Sequence, residues 1–183
     1  MRPLFRDLKV SGLAAELAAH PEAWNEHRMR TFYEGSPHRE ADDIWVRYNS
    51  LKNFDPERPF LFNGPHIAQW YPAVESLPSV KQLVYEVASL VEATAVGGIL
   101  ITRIPAGKQV HWHKDAGWHA QAHRKFCVSI AANHEQTFEF ENESMHTSAG
   151  DCFEFDNQYP HRVLNPSGEA RISLIISLRG FNV

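Results

Sequence analysis

The chain has 183 residues, enough for one packed domain and short for two. Hydrophobic residues make up 43% and charged residues 22%, a globular balance that excludes a disordered, collagen-like or membrane-spanning chain. With 22 acidic against 18 basic residues the formal net charge is −4, so no positive field draws in a phosphate backbone and no nucleic-acid partner is expected.

Leu8, Leu13, Ala14, Leu17 and Ala18 recur at helical spacing as far as Pro21, which predicts a helical N-terminus. Arg2, Arg6, Asp7 and Lys9 interrupt any apolar leader, so no membrane association and a cytoplasmic location are expected. Residues 44–48 read as a strand. Residues 53–72 carry four prolines and one glycine, which predicts an irregular segment wrapped over the body and a candidate lid. From 79 to 93, Val80, Leu83, Val84, Val87, Leu90 and Val91 form one apolar stripe, the mark of an amphipathic helix.

After Gly97 and Gly98 the pattern changes to short β-branched and aromatic runs at 99–104, 110–114, 125–131, 137–141, 151–155, 162–164 and 171–178. Turn residues separate them and no helical period intervenes, so the strands are expected to be antiparallel. The fold class is mainly β, a jelly-roll or double-stranded β-helix of cupin type with N-terminal helices packed on one sheet. The expected organisation is a single domain over 1–183, with a helical and irregular supporting region at 1–95 and the β core at 96–180. Cys127 and Cys152 are too few and too far apart for a disulfide framework or a CxxC motif, and read as reduced core thiols.

His113 and Asp115 are two residues apart at the end of a strand-like run, so period-two alternation puts both on one face. His161, which opens another short strand, is the best third ligand. Two imidazoles and a carboxylate leave three positions of an octahedral ion open, a set suited to non-haem Fe(II) and O2 chemistry. His111 competes for the ligand role because it shares the face of His113. The last strand divides into Arg171, Ser173, Ile175 and Ser177 on one face and Ile172, Leu174, Ile176 and Leu178 on the other. The apolar face should pack on the helices, and the first should point inward, where a guanidinium beside a hydroxyl grips a carboxylate such as that of a dicarboxylate co-substrate.

Over residues 99–178 the chain resembles the Fe(II)/2-oxoglutarate-dependent oxygenases, in particular the aspartyl/asparaginyl β-hydroxylase group. The resemblance rests on Arg103-Ile104-Pro105-Ala106-Gly107, His113-x-Asp115, Phe155-Asp156-Asn157 with His161, Val163-x-Asn165 and Arg171-Ile172-Ser173. It implies Fe(II) held by His113, Asp115 and His161 as the catalytic centre, and 2-oxoglutarate anchored by Arg171 with Ser173. It further implies O2 as oxidant, hydroxylation of a C–H bond, and succinate and CO2 as co-products.

Two departures from the family pattern stand out. Asp115 occupies a position where well-known animal members carry glycine, and Lys125-Phe126-Cys127 replaces an Arg-x-His pattern, so Lys125 or Arg124 takes the arginine's place. Trp112 and Trp118 are expected as an apolar wall, and Arg103, Trp118, His119 and Arg124 as substrate contacts. The substrate class is a small molecule or peptide: an amino acid, a peptidyl Asp or Asn, or a related metabolite. Rival readings are a metal-dependent cupin that needs no 2-oxoglutarate, a dioxygenase or isomerase using His111, His113 and His161, and a non-catalytic module for small anions.

Overall fold

The computed structural model describes residues 1–181. In chain order the elements are β1 (Arg2–Phe5), α1 (Ser11–Ala19), β2 (Asp42–Tyr48), β3 (Gln69–Trp70), α2 (Ala73–Ser76) and α3 (Ser79–Leu90). They continue with β4 (Ala93–Ile104), β5 (Gln109–His113), α4 (Trp118–Ala122), β6 (Arg124–Ala131), β7 (Thr137–Phe140) and β8 (Glu143–Met145). The chain ends on β9 (Cys152–Phe155), β10 (His161–Leu164) and β11 (Arg171–Phe181). Between β2 and β3 lie only two short 3-10 turns, Leu51–Asn53 and Pro59–Asn63, as the proline density requires.

The strands form a seven-stranded sheet in the order β1-β9-β6-β11-β4-β2-β3 and a four-stranded sheet in the order β5-β10-β7-β8. Every pairing is antiparallel. This is the double-stranded β-helix of a jelly roll, two facing sheets rather than a closed barrel, with helices packed on the larger sheet.

Strand β11 explains the division of labour. Leu174, Ile176 and Leu178 are fully buried and join Leu13, Leu17, Val80, Leu83, Val84 and Val87 of α1 and α3 in the main core. Each such side chain contributes about 1.5–3 kcal/mol by leaving water. Ser173, Ile175 and Ser177 alternate onto the opposite face and line a cavity between the sheets.

The expected helices and the strand at 44–48 form, but the strands of the first half take a place in the fold that was not expected. Strand β1 pairs with β9, and β2 with β4, so residues assigned to a supporting region extend the larger sheet itself. The four residues of β1 are too few to show a period, and pairing with the edge of β9 decides their conformation. The Gly97-Gly98 pair does not break the sheet but lies inside β4. A Cβ on Gly97 would fall 2.5 Å from the His123 ring, and one on Gly98 2.6 Å from the Tyr48 ring, so the glycines admit close-packed rings. Helix α4 interrupts the run of strands, and β8 adds one that the pattern hides. Among the described residues no helix is long and apolar enough to cross a membrane.

Leu174 is the natural test of the core. Leu174→Ala is expected to cost about 2–5 kcal/mol in urea unfolding, with an unchanged m-value. A loss below 1 kcal/mol would show that β11 does not carry the packing between sheet and helices.

Candidate metal centre

The two imidazoles meet because of strand register. In the smaller sheet β10 runs antiparallel to β5 with His161 directly opposite His113, and their ring centroids are 4.3 Å apart. The register shifts between His161 and Val163, so His161 ends the paired stretch facing the cavity. Phe138 stacks on the His161 ring at 5.6 Å and Phe155 meets it edge-on at 5.5 Å, which limits its rotation.

Asp115 lies just past β5 and is held by the turn before β10. Its backbone N–H donates to the Asn157 carbonyl at 2.8 Å, and the Asn157 amide donates to its Oδ2 at 3.0 Å. His113 Nε2 is 3.7 Å from Asp115 Oδ1, and one donor atom from each of His113, Asp115 and His161 lies within 4.8 Å of the others.

The protonation states suit metal ligation. His113 Nδ1 is 2.8 Å from the His111 carbonyl and His161 Nδ1 is 2.9 Å from the Tyr159 carbonyl. A carbonyl only accepts, so each Nδ1 carries the proton and each Nε2 presents its lone pair. Burial, with His161 alongside, lowers His113 to about 4, and burial lowers His161 as well. Burial pushes the Asp115 carboxyl up, but Lys125 and the Asn157 amide outweigh it and keep it an anion. Lys125 Nζ stands 4.0 Å from Asp115 Oδ2.

These groups open on a cavity of about 470 Å³ whose lining includes Lys125, Cys127, Ser173 and the aromatic residues Tyr33, Trp45 and Tyr48. That volume is within the usual range for a small-molecule site, roughly 300–1,000 Å³. Arg171 lies behind this lining, 1% exposed, close enough to Cys127 for the charge of one to act on the other. Its Nη2 donates to Thr147 Oγ1 at 3.2 Å, while Nε and Nη1 are buried without a partner. A guanidinium in that state calls for an anion, since an unpaired buried charge costs several kcal/mol.

The structure brings His113, Asp115, His161, Lys125, Ser173 and His119 to one cavity. His119 Nε2 accepts the Gly98 N–H at 3.1 Å, which ties α4 to β4. Other expected contacts turn away. Arg103 shares the outer face of β4 with Ile101, pairs with Asp42 at 2.8 Å and covers the Trp24 ring. Arg124 alternates outward from Lys125, pairs with Glu154 and packs on Phe126 and Phe181. Trp118 packs edge-on against His66 and His123 outside the cavity lining, and Trp112 is exposed beneath Arg162. His111 Nε2 lies 3.5 Å from Glu40 without a hydrogen bond and does not join the ligand cluster.

Sequence reasoning missed Arg30, His38, Trp45, Tyr48 and Asn63, which also line the cavity. A register shift between Trp45 and Arg47 breaks the alternation of β2, so Trp45 and Tyr48 share a side although three residues apart. Arg30, His38 and Asn63 lie outside the α-helices and strands, where no period marks a face.

The jelly roll brings His113, Asp115 and His161 together as three donors that could hold a metal ion. The family model described as aspartyl/asparaginyl β-hydroxylase matches residues 9–180, and the chain belongs to that family of hydroxylases. Among solved structures it is similar to an oxidoreductase of the 2OG-Fe(II) oxygenase family from Burkholderia pseudomallei, at 10% identity and a TM-score of 0.56. That similarity covers 96% of this chain and 93% of the other, and it shows the fold. A cupin domain from Bordetella pertussis is similar over 48% of this chain and 85% of its own, at 17% identity and a TM-score of 0.38. No curated protein matches the sequence.

Burial holds His38 and His119 well below the usual imidazole range and lowers His123 too. Their folded pKa values lie under the unfolded value of ~6.5, so below that pH the unfolded chain takes up protons first. Stability of the metal-free protein is therefore complete above pH ~6.5 and falls on acidification, by at most about 1.4 kcal/mol per pH unit for each histidine. The urea midpoint should drop between pH 7 and pH 5, with a shallower slope in His119→Gln. A flat profile would contradict neutral, buried imidazoles.

Proposed function

We propose that the protein is an Fe(II)- and 2-oxoglutarate-dependent dioxygenase that hydroxylates a C–H bond of an amino acid, a peptidyl Asp or Asn, or a related small molecule. The observation that carries this reading is the pairing of a three-ligand face with a buried guanidinium that lacks an anion. His113, Asp115 and His161 would hold the ferrous ion through two neutral imidazoles and a carboxylate. Arg171, with Ser173 at the cavity face and Lys125 beside Asp115, would hold 2-oxoglutarate. When bound, the pair supplies oxidative decarboxylation by O2 coupled to hydroxylation, with succinate and CO2 as co-products.

The chain's own residues orient and exclude. Asn157 fixes Asp115, the backbone carbonyls of His111 and Tyr159 fix the ring tautomers, and Phe138 and Phe155 pack around His161. Lys125 neutralises Asp115 at the cavity wall. Trp45 and Tyr48 form an apolar side that displaces water from a bound substrate. The fold shared with the Burkholderia pseudomallei oxygenase supports the assignment. The absence of His111 from the cluster of His113, Asp115 and His161, and the unpaired Arg171, favour it over a cupin reaction that uses His111 and leaves Arg171 idle. Two free, buried thiols suit a reducing compartment, and we place the protein in the cytoplasm.

Purified protein with Fe(II), ascorbate and 2-oxoglutarate is expected to form succinate. Arg171→Ala should raise the KM for 2-oxoglutarate roughly 10- to 150-fold, the worth of a charge-assisted hydrogen bond. His113→Ala should reduce succinate to background. Succinate formation indifferent to both changes would refute the reading.

A further inference from the structure

The cavity wall formed by the larger sheet, where Thr102 of β4 stands across from Ser173 of β11, holds a cation that the reading above does not use. Arg30 is fixed by Asp43, which accepts from Nε at 2.7 Å and from Nη2 at 2.8 Å. Its Nη2 also donates to Thr102 Oγ1 at 2.7 Å, and Thr102 donates in turn to Asp43 Oδ1 at 3.1 Å. A guanidinium carries five N–H donors, and these bonds occupy three. The two on Nη1 have no partner among the described residues, and Arg30 lines the cavity that holds the His-Asp-His cluster. Asp43 is buried and Thr102 lies on β4, so the guanidinium is held by the larger sheet and not by a loose loop.

Charge decides what this donor pair would take. Arg30 is matched by Asp43 and Lys125 by Asp115, which leaves the buried Arg171 and the exposed Lys114 as unmatched cations around the cavity among the described residues. On the reading above, the ferrous ion and the 2-oxoglutarate dianion cancel. The loaded cavity then keeps a net positive charge and favours an anion. Beside Arg30 the wall is aromatic, with Tyr33 at the cavity and Trp45 and Tyr48 5.1 Å apart.

We propose that Arg30 is the residue that selects the prime substrate, holding its carboxylate through Nη1 while the hydrocarbon part lies along Trp45 and Tyr48. Arg103 and Arg124 cannot serve this purpose, because both are committed to acids on the outer face of the larger sheet. The inference rests on the dioxygenase reading for its charge balance, but the geometry of Arg30 stands without it.

The test is calorimetric titration with a set of carboxylic acids, free amino acids among them, each paired with its primary amide. Titrations run on the protein alone and on protein loaded anaerobically with Fe(II) and 2-oxoglutarate. Acids are expected to bind the loaded protein at least tenfold more tightly than their amides. Removing Arg30 alone would strand the Asp43 charge, so the variant is the neutral pair Arg30→Gln with Asp43→Asn, which should abolish the preference and leave 2-oxoglutarate affinity within twofold. Arg30→Lys, which keeps the charge and loses the fork, should weaken the preference without erasing it.

Acids binding no better than amides, or a preference that survives the double variant, would overturn the proposal. So would loss of 2-oxoglutarate binding in Arg30→Lys, which would make Arg30 a support for the cavity and not a substrate contact. Failure of wild-type protein to bind Fe(II) or 2-oxoglutarate would instead refute the dioxygenase reading, and the acid and amide titrations on protein alone would still decide the role of Arg30.

Discussion

The arrangement of the cavity depends on one cross-strand pair, His161 of β10 facing His113 of β5. Residues opposite one another in an antiparallel pair bring their side chains together without help from a loop, and a slip of one residue would turn His161 to the other face. The third donor arrives by a different route. Asp115 lies beyond the end of β5, and the turn that leads into β10 reaches across to grip it through Asn157. One pair of adjacent strands and the turn at its end thus position three donors, and the rest of the smaller sheet holds that pair in place.

Electrostatics around the cavity follow a rule of local pairing. Asp115 faces Lys125 and Arg30 faces Asp43, so neither carboxylate is stranded in low dielectric. The imidazoles escape the cost of burial by staying neutral, each with its Nδ1–H on a backbone carbonyl two residues earlier. Arg171 breaks the rule, and it lies on the strand shared by the core and the cavity. An exception at such a position is expected where an anionic ligand completes the structure.

Much of the fold was legible because the apolar periods are strong where packing demands them. The stripe of α3 and the alternation of β11 are both direct images of the core they build, and they located the helix and the two faces of the strand. The ligand set was legible because His113 and Asp115 share a face and His161 opens a strand. What escaped has physical causes. Strand β1 is defined by the edge it pairs with, the glycines of β4 by rings from other elements, and Trp45 and Tyr48 by a register shift that breaks alternation. Arg103 and Arg124 were misplaced although alternation orients them outward, because only pairing with β11 shows which face of each strand meets the helices.

The most direct measurement is anaerobic Fe(II) binding to the purified protein, followed by calorimetry and X-ray absorption. One ferrous ion per chain with two imidazole nitrogens in its coordination shell, lost when His161 is replaced by alanine, is the result expected. Absence of binding, or binding unchanged by that replacement, would contradict the assignment of the centre between β5 and β10.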